Sequence, residues 1–188
     1  HGYYLYAQEL LDKGLIGRLN LVRCHLAHDG ALPRKGKPHG TLPAHFFDLE
    51  QCGGGALIDL GAHPIYLTNR LAGPAKGVYA RLGYMNGMEV DDNSVVLVEY
   101  ESGALGVIEA GFVSAGSFLL EVHGTDGVII VENGNVRVKS LHLNGNKWTE
   151  PEQLPADLPS PMEQWVKQIK EGIAASITKE DMWWLTKI

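Results

Sequence analysis

The spacing of apolar residues predicts a helix followed by a strand at the start of the chain. Residues 3–13 place tyrosine, alanine and leucine side chains at intervals of three and four, which is typical of an amphipathic helix. Residues 18–28 alternate instead, with Val22, Cys24 and Leu26 on one side, which predicts a strand. Both sides of this strand carry apolar residues, as expected in a sheet that is covered or dimerises through its second face.

Six more strands are predicted between residues 77 and 143, and two helices after them. The strand patterns occupy residues 77–84, 93–100, 105–114, 118–123, 128–132 and 136–143. Short turns containing glycine separate most of them, which predicts an antiparallel meander. A polar, proline-containing loop follows, and helices are predicted at residues 161–173 and 178–188, with Ser160 and Thr178 as their N-caps.

The middle of the chain carries a glycine-rich turn and a helix with two distinct stripes. After the glycines at 53–55, one stripe is apolar and should face the core. Asp59 and His63 lie four residues apart on the other stripe, which Tyr66 and Arg70 continue. Pro64 is expected to bend the helix just past His63. One side of the helix is therefore available for packing and the other for chemistry.

The Asp59 and His63 spacing suits proton transfer. A histidine can take or give a proton near neutral pH, and a carboxylate one turn away can orient the imidazole and stabilise its charged form. The glycines allow a ligand or another backbone to come close, and N–H groups at the helix start favour a partly negative oxygen. The alternative is a surface ion pair beside a glycine-rich turn.

Residues 29–51 form a long irregular segment that leads into the glycines. A loop of this length in a compact domain is usually functional or disordered. It should lie over the Asp59 and His63 stripe, and the candidate substrate-binding residues are His28, Arg34, His45 and Asp48. His45 and Asp48 rank first because they are nearest the glycine turn, next to phenylalanines that can anchor the loop. For each residue alone, the alternative is a solvated loop position.

Composition limits the classes of protein. A chain of 188 residues fits one domain with a sizeable core. The net charge of −6 argues against a nucleic-acid partner, and the apolar runs are too short to span a membrane. Cys24 and Cys52 form no CxxC motif, so a reducing cytoplasm is the simpler setting.

Four stretches resemble the Gfo/Idh/MocA family of two-domain NAD(P)-dependent oxidoreductases, which act on sugars, cyclitols and related polyols. Residues 53–73, GGGALIDLGAHPIYLTNRLAG, resemble the family's central motif. The others are KGLIGRLNLVRCHL at 13–26, VDDNSVVLVEYESGALGVIEAGF at 90–112 and EVHGTDGVIIVENG at 121–134. They occur in the family's order and span the second domain.

The resemblance implies a fold and a site. The expected fold is α+β, an open and mostly antiparallel sheet of about six to seven strands with helices on one face, like the C-terminal domain of glyceraldehyde-3-phosphate dehydrogenase. His63 is expected to take or relay the substrate proton, and Asp59 to bind the substrate and hold the imidazole. NAD or NADP would be bound mainly by a Rossmann domain, whose G-x-G-x-x-G turn and Glu-Lys-Pro segment do not occur here.

Residues 1–188 are therefore predicted to form a single C-terminal domain, inactive alone, that uses its open sheet face to form a homodimer or homotetramer. Asp59 and His63 should line an open depression, with His45 or Asp48 within roughly 10 Å of the His63 imidazole. Two alternatives stay open. One is a non-catalytic relative that uses the fold for binding or assembly. The other is a metal-dependent hydrolase with Asp59, His63 and either His28 or His45 as ligands.

Overall fold

A seven-stranded sheet organises the structure, a computed structural model that describes residues 1–188 apart from the side chain of Asn144. The strands are β1 (Leu19–Ala27), β2 (Ala75–Gly83), β3 (Asn93–Tyr100), β4 (Leu105–Gly111), β5 (Phe118–Gly124), β6 (Gly127–Glu132) and β7 (Asn135–Ser140). Their order across the sheet is β2-β3-β4-β1-β5-β6-β7. The β1–β4 pair is parallel and the other neighbours are antiparallel. The predicted open, mostly antiparallel sheet is confirmed.

Helices cover one face of this sheet. The helices of the chain are α1 (Gly2–Asp12), α2 (Leu49–Cys52), α3 (Ala56–Asp59), α4 (Ala62–Ala72), α5 (Pro161–Glu171) and α6 (Lys179–Lys187), with a 3₁₀ helix at Ala44–Phe47. Leu10 of α1 and Ile65 of α4 share one apolar core with Val22 and Ile108 of the sheet. This arrangement confirms the α+β class. In the described part of the chain, no helix combines the length and apolarity needed to cross a lipid bilayer.

Ile129 of β6 is fully buried. Shortening its side chain therefore tests how strongly the stability of the fold depends on this core position. It lies between Val122 and Val138 on the neighbouring strands. We expect Ile129→Ala to lower the free energy of unfolding by about 2–5 kcal/mol, because lost burial and a residual cavity add. Urea denaturation measures the change. Leu158→Ala, at a side chain 45% exposed, is the control and should change stability little; equal losses in both variants would contradict this assignment of the core.

The central helix is broken where the sequence predicts a continuous one. The helix α3 ends at Asp59 and α4 begins at Ala62, with a turn at residues 60–61 between them. The N–H group of Gly61 donates to the carbonyl of Ala56, five residues back, instead of continuing the α-helical pattern. Asp59 and His63 therefore stand on either side of a turn and not on one continuous stripe.

The bend precedes His63, whereas the sequence analysis placed it just after, at Pro64. A Cβ atom on Gly61 would lie only 2.2 Å from the carbonyl oxygen of Leu57, so glycine is required for this close approach. Pro64 is the third residue of α4, where the missing backbone donor costs nothing. The prediction that Pro64 bends the helix is therefore wrong, because glycine makes the break.

The two C-terminal helices start at the predicted N-caps, where both form capping boxes, but they pack differently. The helix α6 packs on α4, where Arg70 donates to Asp181 at 3.1 Å and to the carbonyl of Ser176 at 3.0 Å. Arg70 thus holds α6 in place. By contrast, α5 has no buried residue, and its apolar side chains Trp165 and Ile169 are 57% and 67% exposed.

Candidate active site

Asp59 and His63 lie at the surface, at the turn between α3 and α4. Both side chains are exposed. Among the described residues, neither has a side-chain hydrogen bond or an ion-pair partner. His63 is therefore not a core histidine with both ring nitrogens bonded to backbone, the arrangement that would make this helix purely structural. The direct pairing expected from a spacing of four residues is absent here, because the helix breaks between them.

The start of α3 is occupied from inside the protein by Asp91. The backbone N–H groups of Gly55 and Leu57 donate to its carboxylate at 2.9 and 2.8 Å. The N–H group of Ala56 donates to the Asp91 carbonyl at 2.8 Å. From the sequence, these donors were expected to face a partly negative oxygen of a ligand. That expectation is wrong for these three groups, because the carboxylate of Asp91 accepts from two of them and its main-chain carbonyl from the third.

A small apolar cluster attaches the long loop to this turn. It consists of Ala31, Phe47, Ala56, Val90 and Phe112. Phe47 comes from the 3₁₀ helix at the end of the loop, and Ala56 is the first residue of α3. The predicted anchoring of the loop by a phenylalanine is confirmed, and the end of the loop lies against the helix that carries Asp59. This end is not irregular as predicted, since it forms the 3₁₀ helix and α2.

Asp48 has a structural role at the end of this loop. It is the N-cap residue of α2, and its carboxylate accepts a hydrogen bond from the Gln51 backbone N–H at 3.0 Å and another from the Gln51 side chain. The backbone hydrogen bond from Gln51 is the main cause that holds the pKa of Asp48 below its usual value. A substrate that contacts the Asp48 carboxylate would have to share it with these two hydrogen bonds from Gln51.

This cap predicts a pH dependence of α2. Because the folded-state pKa of Asp48 is depressed, the stabilisation is present above the ordinary aspartate pKa of about 3.9 and is lost as the pH falls through the lower folded value. We expect the Gln51 amide resonance to move toward its unstructured position in that range, as followed by NMR. In Asp48→Asn, which keeps a capping oxygen, the transition should disappear. A transition of the same size in that variant would contradict the assignment.

The other three predicted substrate-binding residues also have partners in the protein. The Nδ1 atom of His28 accepts from the Gly30 N–H at 2.9 Å, and its ring stacks on Phe112 at 5.3 Å. Arg34 donates to Asp29 at 2.6 Å in an exposed ion pair. His45 is exposed and its ring lies 5.1 Å from that of Phe46. Contact of these residues with substrate, and the closeness of His45 or Asp48 to His63, stay predictions.

The ligand set of the hydrolase alternative is not assembled. The described residues include no group of three or more histidine, cysteine, aspartate or glutamate side chains placed to hold a metal ion. Asp59 and His63 therefore lack a third ligand from His28 or His45. A cleft of about 190 Å³ between α4 and α6 and another of about 420 Å³ on the open sheet face are both lined by other residues.

Comparison with protein families decides the class of the chain. The family model described as "GFO/IDH/MocA C-terminal domain" matches residues 4–130. The chain belongs to the Gfo/Idh/MocA family. The matched residues of this Gfo/Idh/MocA domain include the glycine turn, Asp59, His63 and Asp91, whereas α5 and α6 lie beyond them. None of the functionally curated proteins compared with the chain matches it.

Solved structures share the fold. Levoglucosan dehydrogenase in complex with NADH and L-sorbose has a TM-score of 0.80 and 20% identity, covering 98% of this chain and 58% of that one. An NAD binding oxidoreductase from Klebsiella pneumoniae gives 0.67 and 22%, covering 100% and 52%. An oxidoreductase from Agrobacterium radiobacter in complex with NAD+, L-tartaric acid and magnesium gives 0.73 and 17%, covering 98% and 56%. The chain thus spans a little more than half the length of these three solved structures.

Sequence reasoning missed Asp91, whose role depends on a contact between residues 36 positions apart. The signal available was the Val-Asp-Asp stretch just before β3, quoted above only as part of the family resemblance. An acidic pair before a strand has no fixed meaning by itself. Its contact with the glycine turn arises only when the folded chain brings the two segments together.

Proposed function

We propose that this chain is the substrate-binding and oligomerisation domain of an NAD(P)-dependent oxidoreductase that transfers a hydride between the nicotinamide and a carbinol carbon of a sugar, cyclitol or related polyol. The observation that carries the proposal is the exposed Asp59 and His63 pair, which lies within the residues matched by the Gfo/Idh/MocA domain. Both side chains are available to a ligand, since neither has a side-chain partner among the described residues.

In this proposal His63 accepts or relays the proton of the substrate hydroxyl. When a hydride leaves a carbinol carbon, the hydroxyl proton must leave as well, and an imidazole can accept or relay it near neutral pH. Asp59 binds a substrate hydroxyl and, through the bound substrate, holds the imidazole in place. The chain carries no G-x-G-x-x-G turn, so a Rossmann domain would hold the NAD or NADP that accepts the hydride.

The proposed substrate class follows from the kind of polar groups in and beside the loop that leads into the glycine turn. His28, Arg34, His45 and Asp48 offer donors and acceptors suited to several hydroxyl groups, which a polyol presents without needing strong charge compensation. The ligands of two structures with the same fold, L-sorbose and L-tartaric acid, are small hydroxylated molecules and support the same class. We propose these four residues as substrate contacts.

We also propose that the open sheet face binds a second copy of the chain, giving a homodimer or homotetramer. Tyr79, Leu97 and Val107 form a row of cross-strand neighbours on this face, and Tyr79 and Leu97 are 68% and 49% exposed. On the central strand next to that row, Arg23 donates to Glu109 at 2.8 Å. Exposed apolar area of this kind is typical of an interface.

The exposed apolar side of α5 is the surface we propose for the nucleotide-binding domain. Met162, Trp165 and Ile169 need a partner that the described residues do not supply. We expect a reducing, cytoplasmic setting, because Cys24 and Cys52 are both free.

Protein expressed from the complete reading frame tests the proposal. We expect it to reduce NAD+ or NADP+ with at least one member of a panel of sugars, cyclitols and sugar acids, as followed by the absorbance of the reduced nicotinamide. Residues 1–188 alone should give no reduction. Nicotinamide reduction by residues 1–188 alone, or no binding of either dinucleotide by the complete protein in calorimetry, would contradict the proposal.

A further inference from the structure

Asp91 is a buried residue whose carboxylate accepts hydrogen bonds from one short segment of the chain. Only 4% of its surface is exposed. Its side-chain and main-chain oxygens accept hydrogen bonds from the consecutive amides of Gly55, Ala56 and Leu57, all between 2.8 and 2.9 Å. A carboxylate stays buried only where charge-assisted hydrogen bonds replace its lost hydration. All of these interactions are directed at the first turn of α3.

The helix α3 depends on this contact because it has little stability of its own. It is one turn long, and its N-cap residue Gly55 has no side chain that could accept a hydrogen bond from the helix. A helix of this length does not persist in isolation. The capping acceptor, which a neighbouring side chain usually supplies, comes instead from a residue 36 positions further along the chain.

The closeness of the contact explains why residue 55 is glycine. A Cβ atom on Gly55 would lie 1.9 Å from the carbonyl oxygen of Asp91, so any side chain would push the turn away from it. A Cβ atom on the neighbouring Gly54 would meet the Cδ1 atom of Ile58 at 2.5 Å. Ile58 is 58% exposed and can move aside. The close approach made possible at Gly55 is therefore made by the protein's own backbone.

Asp91 is itself fixed to the sheet through its neighbours. The N–H group of Asp92 donates to the carbonyl of Gly83 at 3.0 Å, and its carbonyl accepts from the Phe112 N–H at 2.8 Å. On the other side, Val90 packs with Ala56 in the small apolar cluster. Asp91 therefore joins the rigid sheet to α3, whose last residue is Asp59 and which leads within two residues into the helix that carries His63.

We propose that Asp91 is a positioning residue for Asp59 and His63. It fixes where α3 begins and in which direction it runs, and so fixes where both side chains stand relative to the sheet. What the pair does once it is in place rests on the proposed function. Groups that act on a substrate must be held to about 0.5 Å, and a misplacement of about 1 Å can cost about a hundredfold in rate.

Asp91→Asn and Asp92→Asn in the chain 1–188 form a matched pair. Asp92 is the adjacent carboxylate and is 1% exposed, but its oxygens accept from the backbone N–H groups of Met85 at 2.9 Å and Asn86 at 2.6 Å. In Asp91→Asn, the side-chain NH₂ group faces one of the two N–H donors, so one hydrogen bond is lost together with the charge. The two variants therefore remove the same kind of group from two different targets.

Amide hydrogen exchange and the His63 ring resonances, both read by NMR, give the first result. We expect Asp91→Asn to speed exchange at residues 55–57 by about tenfold or more and to shift the His63 ring resonances. Asp92→Asn should speed exchange at residues 85 and 86. It should leave amide exchange at residues 55–57 and the His63 ring resonances unchanged. Unmoved His63 resonances in Asp91→Asn, or an equal shift in Asp92→Asn, would overturn the inference.

Steady-state kinetics of the complete enzyme give the second result. We expect kcat of Asp91→Asn to fall by about ten- to a hundredfold with KM changed by less than about threefold. Ile129→Val, which only weakens the core, should keep kcat. An unchanged kcat in Asp91→Asn overturns the inference, whereas a wild-type enzyme without any turnover contradicts the proposed function and leaves the NMR result to decide. If Asp91→Asn does not fold, Gly55→Ala is tested in its place, and Gly54→Ala is its control. Only Gly55→Ala should shift the His63 ring resonances.

Discussion

We expect His63→Ala to lower kcat of the complete enzyme by about a hundredfold or more while leaving its thermal unfolding unchanged. The imidazole is exposed and has no side-chain partner among the described residues, so its removal breaks no contact that stabilises the fold. Its loss removes the group that accepts or relays the substrate proton in the proposed reaction. Initial rates with saturating dinucleotide, together with a thermal unfolding curve of each protein, make the measurement.

His142→Ala is the control for this experiment. His142, in the turn that follows β7, is also an exposed histidine. Unlike His63 it has a partner, because its Nε2 atom lies 2.9 Å from the carboxylate of Asp126. It should keep kcat. If His63→Ala keeps it too, His63 has no part in the mechanism, and the non-catalytic alternative of binding or assembly gains the support that the catalytic proposal loses.

Leu97→Glu is expected to separate the proposed dimer. Leu97 lies on the open face between Tyr79 and Val107, so in a face-to-face pair the new carboxylate would lose its hydration beside apolar side chains. A desolvation cost of a few kcal/mol corresponds to self-association that is weaker by about a hundredfold. Size-exclusion chromatography with light scattering over a range of concentrations measures it.

Leu158→Glu provides the matched comparison, because Leu158 is 45% exposed but lies outside the sheet. This variant should associate like the wild type. A wild-type chain that stays monomeric at every concentration would refute the interface, and so would a Leu97→Glu variant that associates as tightly as the wild type.

Local patterns were enough to predict all seven strands, and contacts between distant residues explain the features that were not predicted. The hairpins β3–β4 and β5–β6 join strands separated by a few residues, so alternation and turn glycines define them. The parallel pairing of Cys24 with Ile108 has no local sign, because it joins residues far apart in the chain. The one-turn helix α2 was missed since four residues show no helical period.

The same distinction applies to the candidate site. The family motif located Asp59 and His63, but the break between them follows from the approach of Gly61 to the Leu57 carbonyl, which a periodicity does not reveal. The interpretation of the glycine turn as a place for ligand donors failed for a similar reason. Asp91 fills it, and the partner of a buried carboxylate is decided by tertiary structure.

The position of β1 has a consequence for how the domain assembles. Apart from β1, the sheet consists of two groups of consecutive strands, β2-β3-β4 and β5-β6-β7, each joined by neighbouring antiparallel pairs. Each group can form early because its ends are close in the chain, whereas β1, synthesised first, has both its partners far downstream. The nascent chain must therefore keep β1 unpaired until β4 and β5 have emerged. We expect its docking between them to be the late step that joins two half-sheets into one cooperative unit.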